Sequence, residues 1–137
     1  MKIIKIKPAF KDKRGAIYDF LTGVTIQHAG MVTIKKNQTR AQHYHKKQNQ
    51  YTLVYKGRVK IVTKNLLKKN SKVESFVLKK MEMVLFPACW YHSVQALEYS
   101  ECVVFTSVNR LGKGYEKDTF KVADINSFTG LVKSQST

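Results

Sequence analysis

The sequence is poor in the residues that build cross-linked proteins. Only two cysteines occur in 137 residues, Cys89 and Cys102, and neither belongs to a CxxC pair. A zinc knot or a disulfide scaffold is thereby excluded as the organising principle. Only two prolines occur, Pro8 and Pro87, both at the margins of strand-like stretches, where a missing N–H is tolerated. No apolar run approaches the length of a membrane span. The opening MKIIKIKPAF alternates lysine with isoleucine, whereas a signal peptide needs an uninterrupted apolar stretch. A cytoplasmic protein with no membrane partner is therefore expected. Helical periodicity is nearly absent as well.

Acidic residues are scarce too, 9 against 25 lysines and arginines, for a net charge of +16. Such a charge suits an anionic partner. The lysines are nevertheless spread along the chain. Their densest group, TKNLLKKNSK at 63–72, falls between two strand-like stretches, as a solvated loop would. No nucleic-acid motif accompanies it, so a small phosphate-bearing ligand is expected in preference to nucleic acid.

What is present is a globular composition: 43% hydrophobic residues, with seven each of tyrosine and phenylalanine. One domain of this length buries an ordinary core. Short alternating runs rich in Val, Ile, Tyr and Phe recur between turn residues, the pattern of an antiparallel β-sandwich or barrel. Strands are expected at 3–7, 16–21, 28–34, 40–45, 50–56, 58–63, 74–78, 83–86, 92–96 and 102–108, with turns at 12–15 and 36–39. The domain is expected to occupy residues 1–126, and the Ser/Thr/Lys-rich segment 127–137 to fray.

The chemistry concentrates in RAQHYHKKQNQYTLVYKG, residues 40–57. Residues two apart on a strand share a face, so His43 and His45 point together and Tyr44 points away. The polar turn 46–49 returns the chain at Gln50. Farther on, FPACWYH ends in His92, which a sandwich topology could carry to the same place. By strict alternation Arg40 belongs with Gln42 and Tyr44, opposite the histidines, unless a bulge intervenes. Three imidazoles and an amide could hold a divalent transition ion (Zn, Fe, Ni or Mn) through His43, His45, Gln50 and His92. An amide at Gln50 lacks the charge that such an ion favours, and imidazole alone suits proton transfer near neutral pH.

HxH, four residues, an acceptor, six residues and glycine, followed by PxxxxH, resembles the two motifs of the cupin superfamily. Here these are His43 and His45, Gln50, Gly57, Pro87 and His92. RAQHYHK, SECVVFTSVNR (100–110), GYEKDTFKV (114–122) and DKRGAIYDFL (12–21) are similar to segments of nucleotide-sugar cupins. These are the sugar 3,4-ketoisomerases, the WxcM-like proteins and the dTDP-4-dehydrorhamnose 3,5-epimerase-like proteins. The resemblance implies an all-β jelly roll, a homodimer, and an isomerase or epimerase acting on a nucleotide-linked 4-keto-6-deoxy sugar, with dTDP as the carrier. It implies that His43 and His45 move the proton without metal or other cofactor. Arg40, Lys46, Gln50, His92 and Tyr115 would then contact the substrate. Departures from the family pattern are Ala41-Gln42 ahead of the first histidine, the long loop 63–72, and Cys89 where glycine is common. A three-histidine metal enzyme resembling the dioxygenases, and a non-catalytic sugar- or nucleotide-binding cupin, are the alternatives.

Overall fold

In a computed structural model that describes residues 1–135, nearly all regular structure is strand. In chain order the strands are β1 (Ile4–Lys5), β2 (Pro8–Asp12), β3 (Gly15–Tyr18), β4 (His28–Ile34), β5 (Thr39–Tyr44) and β6 (Gln50–Lys56). They continue with β7 (Arg58–Asn65), β8 (Glu74–Lys79), β9 (Glu82–Phe86), β10 (Trp90–Ala96) and β11 (Ser100–Thr106). A single-turn helix, α1 (Gly114–Lys117), precedes β12 (Phe120–Lys121) and a 3-10 turn at Ile125–Ser127. Five strands in the order β1-β9-β6-β11-β4 form one sheet, and β12-β5-β10-β7-β8 form the second. All pairings are antiparallel, and β2 with β3 makes a separate hairpin. This is the expected jelly roll.

Alternation dictates the core. Along β11, Ser100, Cys102, Val104 and Thr106 turn inward while Glu101, Val103 and Phe105 face the other way. Val59 and Ile61 on β7 do the same opposite Val54, Val84 and Phe86 of the other sheet. Strands β2 and β12 and helix α1 were not legible in the sequence. The helix and β12 are too short to show a period, and β2 opens on a proline.

Gly57 closes the turn between β6 and β7 with φ +89°, where an L side chain is strained. A Cβ there would meet the Ser100 hydroxyl and lie 2.5 Å from the Tyr99 carbonyl. Gly57→Ala is therefore expected to lower stability by about 2–4 kcal/mol, from the left-handed backbone and the overlap together. Urea unfolding measures it, and a loss below about 0.5 kcal/mol, within the range of an ordinary surface change, would contradict this account.

The segment expected to fray, 127–137, makes contacts with the barrel over its described residues 127–135, through apolar side chains spaced among the polar ones. Phe128 packs at 6.2 Å from the Tyr44 ring, and Val132 joins a second core cluster with Leu66, Cys89, Tyr91, Val122 and Ile125. The Val132 N–H donates to the Leu66 carbonyl at 2.9 Å, and the Gln135 N–H to the Lys46 carbonyl at 3.2 Å. The last two residues of the expected frayed tail lie outside the described residues. Cys89, at the position where glycine is common, takes φ 67°, the conformation a glycine would adopt there, and its side chain is fully buried.

Candidate active site

Strand β5 lies between β12 and β10, so its inner face looks into the sandwich. Across the β5–β10 ladder His43 pairs with His92, but the next pair is Ala41 with Ser93. Gln42 is thus an extra residue, and Ala41 and Gln42 both take left-handed backbone, φ 69° and 57°. This is the bulge on which the position of Arg40 depended. It restores Arg40, opposite Val94, to the face that carries His43. The Arg40 Nε donates to the Thr33 carbonyl at 3.0 Å, and its side chain lines the central cavity.

The three motif histidines come together as expected. The His43 ring lies 4.6 Å from His45 and 4.8 Å from His92, centroid to centroid. His92 stacks on Phe86 at 4.5 Å. Their roles nevertheless separate by depth. His43 lines a cavity of about 360 Å³, while His45 and His92, 2% and 1% exposed, lie behind it. A direct substrate contact by His92 is not supported by this burial.

Hydrogen bonds assign the tautomers of the rear pair. The His45 Nδ1 lies 2.9 Å from the Asp118 carbonyl, and the His92 Nδ1 lies 3.2 Å from the Trp90 carbonyl. A carbonyl only accepts, so each Nδ1 carries the proton and each Nε2 keeps a lone pair. Both Nε2 atoms are buried without a hydrogen-bond partner among the described residues. Asp118, itself buried, secures this arrangement: its carboxylate accepts from the backbone N–H groups of Lys46, Lys47 and Gln48 at 2.9–3.2 Å. The polar turn after His45 is thereby tied to the segment that follows α1.

Burial dominates the electrostatics. It pulls the pKa of His43 down to about 4, helped by the charges of His45, Lys121 and Arg110. His45 is lowered by burial, partly opposed by its bond to Asp118. His92 is held well below the usual imidazole range by burial and its two neighbours. Near pH 7 all three therefore favour the neutral form.

The cavity lies between the sheets, with an apolar wall of Val32, Ile34, Val94, Cys102 and Val104. Its polar side carries Arg40, His43, Gln50, Thr52, Arg110 and Tyr115, and among the described residues no acidic one lines it. The Tyr115 ring lies 5.6 Å from His45 and is capped by the Arg110 guanidinium at 3.9 Å. Gln50 is held in a chain, accepting from Gln48 at 3.2 Å and donating to Thr52 at 3.1 Å, rather than orienting an imidazole. The Lys46 ammonium sits 4.7 Å over the Phe120 ring, and Lys46 is not among the residues lining the cavity. Tyr44, on the opposite side of β5, stacks on Phe120 at 5.2 Å as an ordinary packing aromatic.

Sequence reasoning missed two residues here. Arg110 ends the SECVVFTSVNR segment, and no spacing marked it as cavity-lining. Asp118 lies inside GYEKDTFKV, a segment whose likeness was visible, but its hold on residues 46–48 is a long-range contact.

The model of the family described as polysaccharide biosynthesis C-terminal domain matches residues 10–120. No curated protein matches the sequence. Among solved structures, the chain is similar to dTDP-4-dehydrorhamnose 3,5-epimerase from Sulfolobus tokodaii, with TM-score 0.73 and 21% identity, covering 98% of this chain and 84% of that one. It is similar to a sugar 3,4-ketoisomerase from Thermoanaerobacterium thermosaccharolyticum in complex with TDP (TM-score 0.70, 21% identity, 90% and 88% covered). A 3,4-ketoisomerase from Helicobacter canadensis gives TM-score 0.70 and 18% identity, with 91% of each chain covered. At these identities the likeness shows the fold, the cupin jelly roll.

Proposed function

Because the chain belongs to the family of the polysaccharide biosynthesis C-terminal domain, we propose that it is an isomerase or epimerase acting on a nucleotide-linked 4-keto-6-deoxy sugar, with dTDP as carrier. The observation that carries this reading is a neutral imidazole, His43, facing a cavity lined by two arginines and no acid. The solved relatives add chemical support: the ketoisomerase structure carries TDP, and an epimerase from Legionella pneumophila carries dTDP-4-keto-L-rhamnose.

In this reading Arg40 and Arg110 collect the diphosphate and draw the sugar inward. The His43 imidazole removes a proton from the carbon beside the keto group. The C–H electrons form the enediolate double bond, and the keto oxygen takes the negative charge. A guanidinium or the Tyr115 hydroxyl stabilises that oxyanion. Return of the proton to the former keto carbon, with the hydroxyl proton of the neighbouring carbon passing to the former keto oxygen, moves the keto group, whereas return to the opposite face of the original carbon epimerises it. A pKa of about 4 makes His43 a weak base in the empty cavity. A bound diphosphate and the developing oxyanion favour the imidazolium and raise it toward neutrality. Behind it, the His45 ring is fixed by its Nδ1–H bond to the Asp118 carbonyl, which leaves its Nε2 lone pair unengaged. The decisive experiment supplies dTDP-4-keto-6-deoxyglucose in deuterated water. Deuterium incorporation beside the keto group supports the reading, and its absence across a panel of keto-sugar nucleotides refutes it.

A homodimer fits the exposed apolar surface. On the β2–β3 hairpin Phe10, Ile17 and Tyr18 are 53%, 59% and 43% exposed, and Met31 on the edge strand β4 is 55% exposed. Sedimentation is expected to give twice the 15.8 kDa chain mass, and Phe10→Ser with Ile17→Ser to shift it to the monomer.

One observation favours a metal reading as well. The ring nitrogens of His43, His45 and His92 lie within 4.8 Å of one another, and the two unpartnered Nε2 atoms are neutral donors suited to a divalent ion. These three would hold it, with Gln50 engaged by Gln48 and Thr52, and the ion would supply Lewis acidity toward a carbonyl oxygen. Deuterium exchange that is abolished by a chelator and restored by zinc, iron, nickel or manganese selects this reading.

A further inference from the structure

The charge of +16 greatly exceeds what a diphosphate at Arg40 and Arg110 requires, and its densest part lies elsewhere. The β7–β8 loop and the C-terminal segment meet side by side, joined by the Val132 N–H to Leu66 carbonyl bond and by Lys64 Nζ donating to the Phe128 carbonyl at 3.1 Å. Between them lies a second cavity of about 250 Å³, sharing no residue with the first. Lys64, Lys68 and Lys69 line it, while Lys72 and Lys133 are exposed on the same two segments. Residues 64–73 and 125–135 contain no acidic residue.

The apolar side chains here follow a pattern that the lysines alone would not give. Leu66 and Val132 are buried and hold the two segments together. Their chain neighbours Leu67 and Leu131 face solvent, 46% and 59% exposed. Two protruding leucines, on segments joined through Leu66 and Val132 and carrying clustered lysines, have the amphipathic chemistry of a bilayer interface. There, apolar side chains enter the headgroup boundary and ammonium groups meet lipid phosphates. A nucleic-acid backbone would satisfy the lysines but has no use for the leucines, and this end presents no exposed aromatic ring for stacking bases.

We propose that the β7–β8 loop and the segment 126–133 form a peripheral docking surface for an anionic lipid bilayer. Leu67 and Leu131 enter the interface, and the lysines around the 250 Å³ cavity bind lipid phosphate. The surface is independent of the catalytic reading, and its test uses no turnover.

The test is co-sedimentation of the full chain with phosphatidylcholine vesicles, with or without about 30% phosphatidylglycerol, at about 150 mM salt, where long-range attraction between exposed charges is largely screened. Binding is expected to the anionic vesicles only. Lys68→Glu with Lys69→Glu is expected to weaken it by about thirtyfold or more, at roughly fivefold for each cation removed. Leu67→Ser with Leu131→Ser keeps the net charge, and is expected to weaken binding by about tenfold or more through lost apolar insertion. Both variants alter exposed positions, so unchanged circular dichroism and melting are expected. Undiminished binding by the leucine variant would reduce the effect to overall charge and overturn the proposal. So would failure to bind anionic vesicles, or tighter binding to duplex DNA or RNA at the same salt.

Discussion

His43→Ala is expected to slow deuterium incorporation into dTDP-4-keto-6-deoxyglucose by about 10²–10⁴-fold, the usual contribution of a positioned acid/base group. His43 alone of the three clustered imidazoles lines the main cavity, so the loss should fall on the exchange step and spare binding of dTDP. Its removal enlarges an existing cavity instead of opening a sealed void, so melting should change little. His45→Ala should behave differently. It leaves the Asp118 carbonyl without its ring N–H donor and disturbs the turn that Asp118 ties through three amides. Activity and stability should therefore fall together. Measuring both variants by exchange, dTDP calorimetry and thermal melting separates chemistry from scaffolding. If His43→Ala exchanges at the wild-type rate, His43 is not the base.

Acidification is expected to destabilise the fold early. The folded pKa of His43 is held at about 4, below the ordinary imidazole value of 6.5, and His45 and His92 are lowered in the same direction by burial. When a folded pKa is depressed, the unfolded chain binds protons first as the pH falls. The three groups therefore cost nothing above about pH 7 and withdraw stability below 6.5. For His43 the loss continues until about pH 4 and amounts to about 3 kcal/mol. His45 and His92 add to it with the same sign. Urea unfolding at pH 8, 6, 5 and 4 should show a flat region followed by a steady fall, and His92→Gln should shallow the slope between pH 6.5 and 4. A flat profile down to pH 4 would mean that the imidazoles are solvated in solution.

The fold was legible because its signal is local. Alternation along β4 marked its bounds, since one inward face repeats every second residue. HxH placed His43 and His45 on one side because a pleat allows nothing else within a regular strand. The glycine at 57 announced a turn, although the reason it must be glycine is a contact with Tyr99 and Ser100 more than forty residues away. Where regularity failed, so did the reading. Parity placed Arg40 opposite the histidines, and a two-residue left-handed bulge reversed it. Composition could not show the partners that Phe128 and Val132 find on strands and loops distant in sequence.

By itself, the sequence determined the all-β architecture, the gathering of three histidines and the excess of positive charge, because periodicity, motif order and residue counts are properties of the chain. Only the tertiary structure decided which imidazole meets the cavity, which nitrogens keep lone pairs, and that Arg110 rather than Lys46 lines the site. These follow from burial and from contacts such as His45 to Asp118, 73 residues apart, which arise only when the two sheets close on each other.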